Sequence, residues 1–159
     1  LAGYIETTFR KTPYVWGGED PSGADCSGVI RRGLYAMRGL RLSGYDDIVS
    51  LGRRNPIFMG EVDWLGRTLR CEHGRTVWCH VSTRRNDVLY IHSENAKLFG
   101  LFPTSRFGHW GVVYRENGNG WLDPFDTVIE MRPGGLRLAP FVLFVLVARR
   151  PLEIEVYRF

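Results

Sequence analysis

Lysine is nearly missing from this chain: 19 of its 21 basic side chains are Arg, leaving only Lys11 and Lys97. The Arg residues fall singly or in pairs, such as Arg31-Arg32 and Arg84-Arg85, and form no tract. That pattern argues against a dedicated nucleic-acid site and reads the net charge of +4 as a solvated surface with a general pull on polyanions. Long apolar runs are missing too. The longest, Phe141 to Ala148, has eight residues, far short of the ~20 that a spanning helix needs, so membrane insertion through a helix is excluded. Cysteine is scarce, with three residues. An odd number leaves at least one thiol free or paired with another chain. Cys71 and Cys79 are near enough in sequence to pair, and Cys26 stands alone. No basic-then-apolar leader opens the chain. Residue 1 is Leu, which reads as a processed form, an excised domain or part of a larger polypeptide.

What is present suits a single core. Apolar residues make up 44% of 159 and aromatics 13%, enough bulk for one domain of this length. Ala2 to Arg10 reads as a short helix stopped by Thr12-Pro13. A loop rich in Gly, Pro and Asp follows to Gly28. From Cys26 the apolar residues Val29, Ile30, Leu34 and Met37 recur at the helical period, with Asp25 at the N-cap position and Gly39 at the end. Asp46 to Arg53 suits another helix. Residues 61–85 read as irregular, with a strand at Thr76 to Val81. The second half reads as strands: Asp87 to His92, Gly108 to Tyr114, Gly120 to Phe125, Thr127 to Met131, Phe141 to Arg149 and Glu153 to Tyr157. Asn117-Gly118-Asn119-Gly120 supplies a hairpin turn, because Asn and Gly tolerate positive φ. Helices first and strands later predict an α+β domain, with N-terminal helices on a mostly antiparallel sheet of about five or six strands.

Cys26 carries the chemistry. At a helix N-terminus, partial positive charge and free backbone N–H groups favour a thiolate, so a depressed thiol pKa is expected. The same N–H groups can hold an oxyanion. Asp25 opposes the thiolate unless it is engaged elsewhere.

The stretch Tyr14-Val15-Trp16-Gly17-Gly18 through Pro21-Ser22-Gly23 to Asp25-Cys26-Ser27-Gly28 closely resembles the signature of the NlpC/P60 cysteine peptidases, cell-wall hydrolases of the papain-like superfamily. A second match is Asp87-Val88-Leu89-Tyr90-Ile91, a loop, then His109-Trp110-Gly111-Val112-Val113-Tyr114. The resemblance implies the papain-like NlpC/P60 fold across residues 1–159, with Cys26 as nucleophile and His109 as its acid–base partner. The family's third residue, commonly His, orients the imidazole. Asp123 stands at about that position, with Asp126 as the alternative. Tyr14 matches a residue that assists the oxyanion. Asp25 and Ser27 match positions that bind the free amine of the substrate, although both also suit helix capping.

Cys71, His73, Cys79 and His80 do not follow a familiar zinc spacing, and no metal or organic cofactor is expected. His92 ends a predicted strand and reads as structural, with a second imidazole near the site as the alternative. Residues 40–85 form an insertion expected to wall the cleft or meet a partner, and Ser93 to Phe107, with Phe99, Leu101, Phe102 and Pro103, is a second wall or lid. The resemblance therefore implies a peptidase that cuts peptidoglycan stem peptides, at the bond joining the γ-carboxyl of D-glutamate to a diamino acid. The chain would work in an extracellular, periplasmic or virion-associated setting, alone or within a phage or secretion assembly. Two rivals remain: an inactive wall-binding or structural module, and a papain-like amidase with another substrate. The order Cys before His disfavours the permuted acyltransferases, in which His comes first.

Overall fold

In the computed structural model, residues 1–93, 97–98, 102–103, 107–146 and 152–159 are described. The apolar spacing read from the sequence produces α1 (Ala2–Phe9), which buries Ala2, Ile5 and Phe9. The Gly-rich loop carries a two-stranded ribbon, β1 (Glu19–Asp20) with β2 (Gly23–Ala24). It leads into α2 (Cys26–Arg38), where Asp25 is the N-cap and its Oδ1 accepts the Gly28 N–H at 2.7 Å, a cap worth about 1 kcal/mol. Gly39 ends α2 at φ 68° and donates its N–H to the Tyr35 carbonyl at 2.8 Å, a left-handed turn that glycine adopts at little cost. Next come α3 (Tyr45–Gly52), β3 (Pro56–Val62), β4 (Thr68–Glu72), β5 (Arg75–Trp78), β6 (Val88–Ser93), β7 (Lys97–Leu98) and β8 (Phe102–Pro103). The chain closes with β9 (Phe107–Arg115), β10 (Thr127–Arg132), β11 (Gly135–Pro140), α4 (Phe141–Val145) and β12 (Leu152–Tyr157).

Eight strands form one antiparallel sheet in the order β11-β10-β9-β6-β12-β3-β4-β5. Its central strands are buried on both faces, because residues two apart share a face. On one face Val88, Tyr90, Trp110, Val112, Ile129 and Met131 pack against Val29, Ile30 and Leu34 of α2. On the other, Leu89, Ile91, Val113 and Val128 meet Phe141 and Phe144 of α4.

The α+β architecture agrees with expectation, and the sheet is larger than expected. Residues 61–85 are not irregular. They add β4 and β5 around His73 and Gly74, both at positive φ (50° and 75°), the turn geometry a two-residue hairpin requires. Gly120 to Phe125 is not a return strand. Trp121 makes one isolated bridge to Ser82, and the Asp123 and Asp126 carboxylates accept the Phe125, Asn117 and Asp123 N–H groups that a ladder would use. The apolar run from Phe141 begins as a helix, not a strand. Its first N–H groups reach the Asp126 and Pro124 carbonyls at 2.7 and 3.0 Å, and Phe141, Phe144 and Val145 bury one side. The rest of that expected strand, from Val147, lies outside the described residues, as do Phe99 and Leu101 of the expected lid. Cys79 is a free thiol standing 3.6 Å from the Val77 carbonyl.

Candidate active site

Cys26 is the first residue of α2 and is buried. It borders an open cleft of ≈ 790 Å³. Trp16, Gly17, Ser27 and Arg31 form the near wall, Ser43 to Asp46 and Val49 the far wall, and Tyr90, His92, Gly108 and Trp110 the floor. The far wall belongs to the expected insertion, so residues 40–85 help build the cleft. Gly28 fixes the entry of α2: a Cβ there would lie 1.9 Å from the Gly18 carbonyl oxygen. Only glycine lets the helix start this close to the loop.

The thiol is not depressed as the helix end alone predicts. Burial pushes its pKa up to about 12, and nearby Asp25 adds to the rise. The backbone N–H groups of Trp110, Ser27 and Cys26 act in the opposite direction without reversing it. Desolvation outweighs the helix end here, so at neutral pH the sulfur keeps its proton until a base removes it.

The Trp110 amide reaches the sulfur because of strand register. Val113 donates its N–H to Asp87 on the β6 side at 2.9 Å, and alternation turns Trp110 toward β10. Pairing of β9 with β10 runs only from Thr127–Arg115 to Glu130–Gly111. Beyond it the strands fork, and the Trp110 N–H meets the thiol instead of a strand.

Asp25 is committed locally. Oδ1 accepts from Gly28 N and from Ser27 Oγ at 2.8 Å, and Oδ2 accepts from Gly17 N at 2.7 Å. It caps the helix and clamps the Tyr-x-Trp-Gly-Gly loop in one contact. Tyr14 bridges to Ala24. Burial first, then the neighbouring Cys26 and Asp25, push its phenol well above its ordinary value. The phenol therefore keeps its proton across the physiological range.

His109 leaves β9 on the face opposite Trp110. Its ring packs 5.3 Å from Phe144 and its Nε2 lies 2.6 Å from Glu130 Oε2. Thiol and imidazole thus stand on different sides of β9, at the fork. Asp123 does not orient this histidine. Its carboxylate accepts from Asn117 Nδ2, Asn119 Nδ2 and the Phe125 N–H in the loop after β9. Asp126 does not either: it is buried and accepts the Asn117 and Asp123 N–H groups at 3.0 and 3.2 Å. The partner is Glu130, which sequence reasoning missed. Burial opposes its charge, but His109 and Arg132 outweigh that and hold its carboxyl below the ordinary value. Arg132 Nε at 2.5 Å and Arg137 Nε at 2.6 Å complete the cluster. Burial lowers the pKa of His109 despite this carboxylate, so a neutral imidazole donates Nε2–H to an ionised Glu130.

A second imidazole lies on the cleft floor. His92 stacks on Tyr90 at 4.7 Å, its Nε2 is 2.9 Å from Glu155 Oε1, and its Nδ1 is 3.4 Å from Glu153. Glu155 is buried and also accepts from Arg53 and Tyr157. Among the described residues, no three His, Cys, Asp or Glu side chains gather as a metal cage.

A cysteine heading a helix laid on an antiparallel sheet, with histidines on the strands that follow, defines an α+β domain with its candidate nucleophile at a helix N-terminus. The NlpC/P60 family model matches residues 11–98, more than half of the sequence, and the chain belongs to the NlpC/P60 family. The matched segment takes in Cys26 and His92 and ends before His109. The crystal structure of the NlpC/P60 domain of peptidoglycan hydrolase SagA covers 100% of this chain and 99% of its own, with a TM-score of 0.50 at 19% identity, a likeness of fold. Protein P54 of Enterococcus faecium is 53% identical over 34 residues, 21% of this chain and 7% of that protein. The chain thus spans less than a tenth of that relative's length.

Proposed function

We propose that the protein is a cysteine peptidase of peptidoglycan, cutting stem peptides between the γ-carboxyl of D-glutamate and a diamino acid. The observation that carries this reading is Cys26 at the head of α2, bordering an open cleft of ≈ 790 Å³. Family membership and the description of the SagA domain as part of a peptidoglycan hydrolase support a wall substrate. In this mechanism His109, held by Glu130, is the base that takes the Cys26 proton once the two groups meet at the end of the β9–β10 pairing. The sulfur attacks the amide carbonyl carbon. The resulting oxyanion meets backbone N–H groups at the α2 terminus and the Tyr14 hydroxyl. The imidazolium then protonates the departing amine as the C–N bond breaks. Water, deprotonated by the same imidazole, releases the thioacyl group. Such work fits an extracellular, periplasmic or virion-associated location. No helix among the described residues is long and apolar enough to cross a membrane.

Incubation with purified wall fragments tests this reading. Wild-type protein is expected to release cleaved stem peptides, and Cys26→Ala to lower the rate about a thousandfold or more. A second reading, a module that binds stem peptides without cutting them, draws support from the separation of thiol and imidazole across β9. Fragments retained but left intact by wild-type protein would establish that alternative.

A further inference from the structure

Arg31 sits on α2, five residues beyond Cys26, and lines the same cleft. At a rise of about 1.5 Å per residue, it stands roughly 7.5 Å along the helix axis from the nucleophile position. Its side chain is only 11% exposed. Nη1 donates to Glu19 Oε2 at 2.7 Å and to the Ser43 carbonyl at 3.2 Å. Nε is buried with no acceptor. A buried guanidinium with an unanswered donor is a costly arrangement unless a ligand completes it. Its ion-pair partner Glu19 is 52% exposed, so that pair is loosely held and open to exchange.

We propose that Arg31 is a specificity residue that takes a free carboxylate of the substrate close to the attacked carbonyl. This rests on the peptidase reading for the identity of the peptide. An amide made through a γ-carboxyl leaves the α-carboxylate of the same residue free, and Arg31 lines the cleft that Cys26 borders. The incoming carboxylate displaces Glu19 and accepts from the fork of the guanidinium, a charge-assisted contact that an uncharged amide cannot match.

The probes are L-alanyl-γ-D-glutamyl-diaminopimelate and the same peptide with its α-carboxylate converted to the amide. Binding is measured on Cys26→Ala protein, which cannot turn over, and kcat/KM on the wild type. The carboxylate form is expected to bind at least tenfold more tightly than the amide. Arg31→Gln should abolish that preference while leaving the amide within about threefold. Glu19→Gln, which frees the guanidinium without changing a residue of α2, should strengthen carboxylate binding several-fold. Equal binding of the two peptides, or a preference unchanged in both variants, overturns the proposal. If Arg31→Gln fails to fold, Glu19→Gln decides alone, and unchanged binding refutes the role. A carboxylate preference that responds to these variants, in a wild-type protein that cleaves neither peptide, sustains the Arg31 site and removes the peptidase reading.

Discussion

At the scale of single residues, the acid–base role in the proposed mechanism divides between two imidazoles, each backed by a buried carboxylate. His109 has Glu130 behind it at the fork, and His92 has Glu155 on the cleft floor. Because burial keeps the Cys26 thiol protonated at neutral pH, whichever ring serves it must carry a large share of the rate. His109→Gln is expected to lower turnover by about 10²–10⁴, with His92→Gln within tenfold of wild type; steady-state rates on stem peptides measure both. The reverse order would move the role to His92. Cys26 and its Asp25 cap were legible because a helix start leaves a local signature. Glu130 was not, because its approach to His109 depends on which residues of β9 and β10 face each other, and a loop of Asx turns intervenes. Asp123 lay nearer in sequence, but its carboxylate is spent on that loop.

At the scale of elements, the start of α2 is the most constrained feature. Gly28 packs against the Gly18 carbonyl, while Asp25 ties the helix to Gly17. Gly28→Ala is therefore expected to destabilise the fold by about 3 kcal/mol, since backbone on both sides leaves no cheap relaxation. Urea unfolding monitored by far-UV circular dichroism would register it, and an unchanged midpoint would refute the close approach. The helices and most central strands could be read from period and capping. The segment from Phe141 could not, because an unbroken apolar run has no period; backbone acceptors from Pro124 and Asp126, distant in sequence, made it a helix. The strand expected at Thr76 to Val81 overlaps β5, whereas β4 was hidden because the turn joining them uses His73 instead of Asn.

For the whole molecule, two buried carboxyl groups give opposite dependences on pH. Burial alone would raise Glu155, yet hydrogen bonds from Arg53, His92 and Tyr157 outweigh it and bring its pKa to about 2. Its contribution is complete above the unfolded value near 4.5 and is lost as pH falls toward 2. Asp126 is raised by burial to about 6. The folded state holds that proton more firmly, so this group's contribution declines as pH rises from about 4 to 6. Thermal unfolding scanned from pH 2 to 7 is expected to show a steep acid limb. Glu155→Gln should lower Tm at pH 7 and flatten that limb; an unaltered limb would mean that other carboxylates govern acid unfolding.

The early parting of β9 from β10 also makes the Trp110 amide a natural isotope label for the sulfur. Its deuterium uptake should outpace that of Val112, whose residue still pairs with Ile129, and should change again once Cys26 is alkylated.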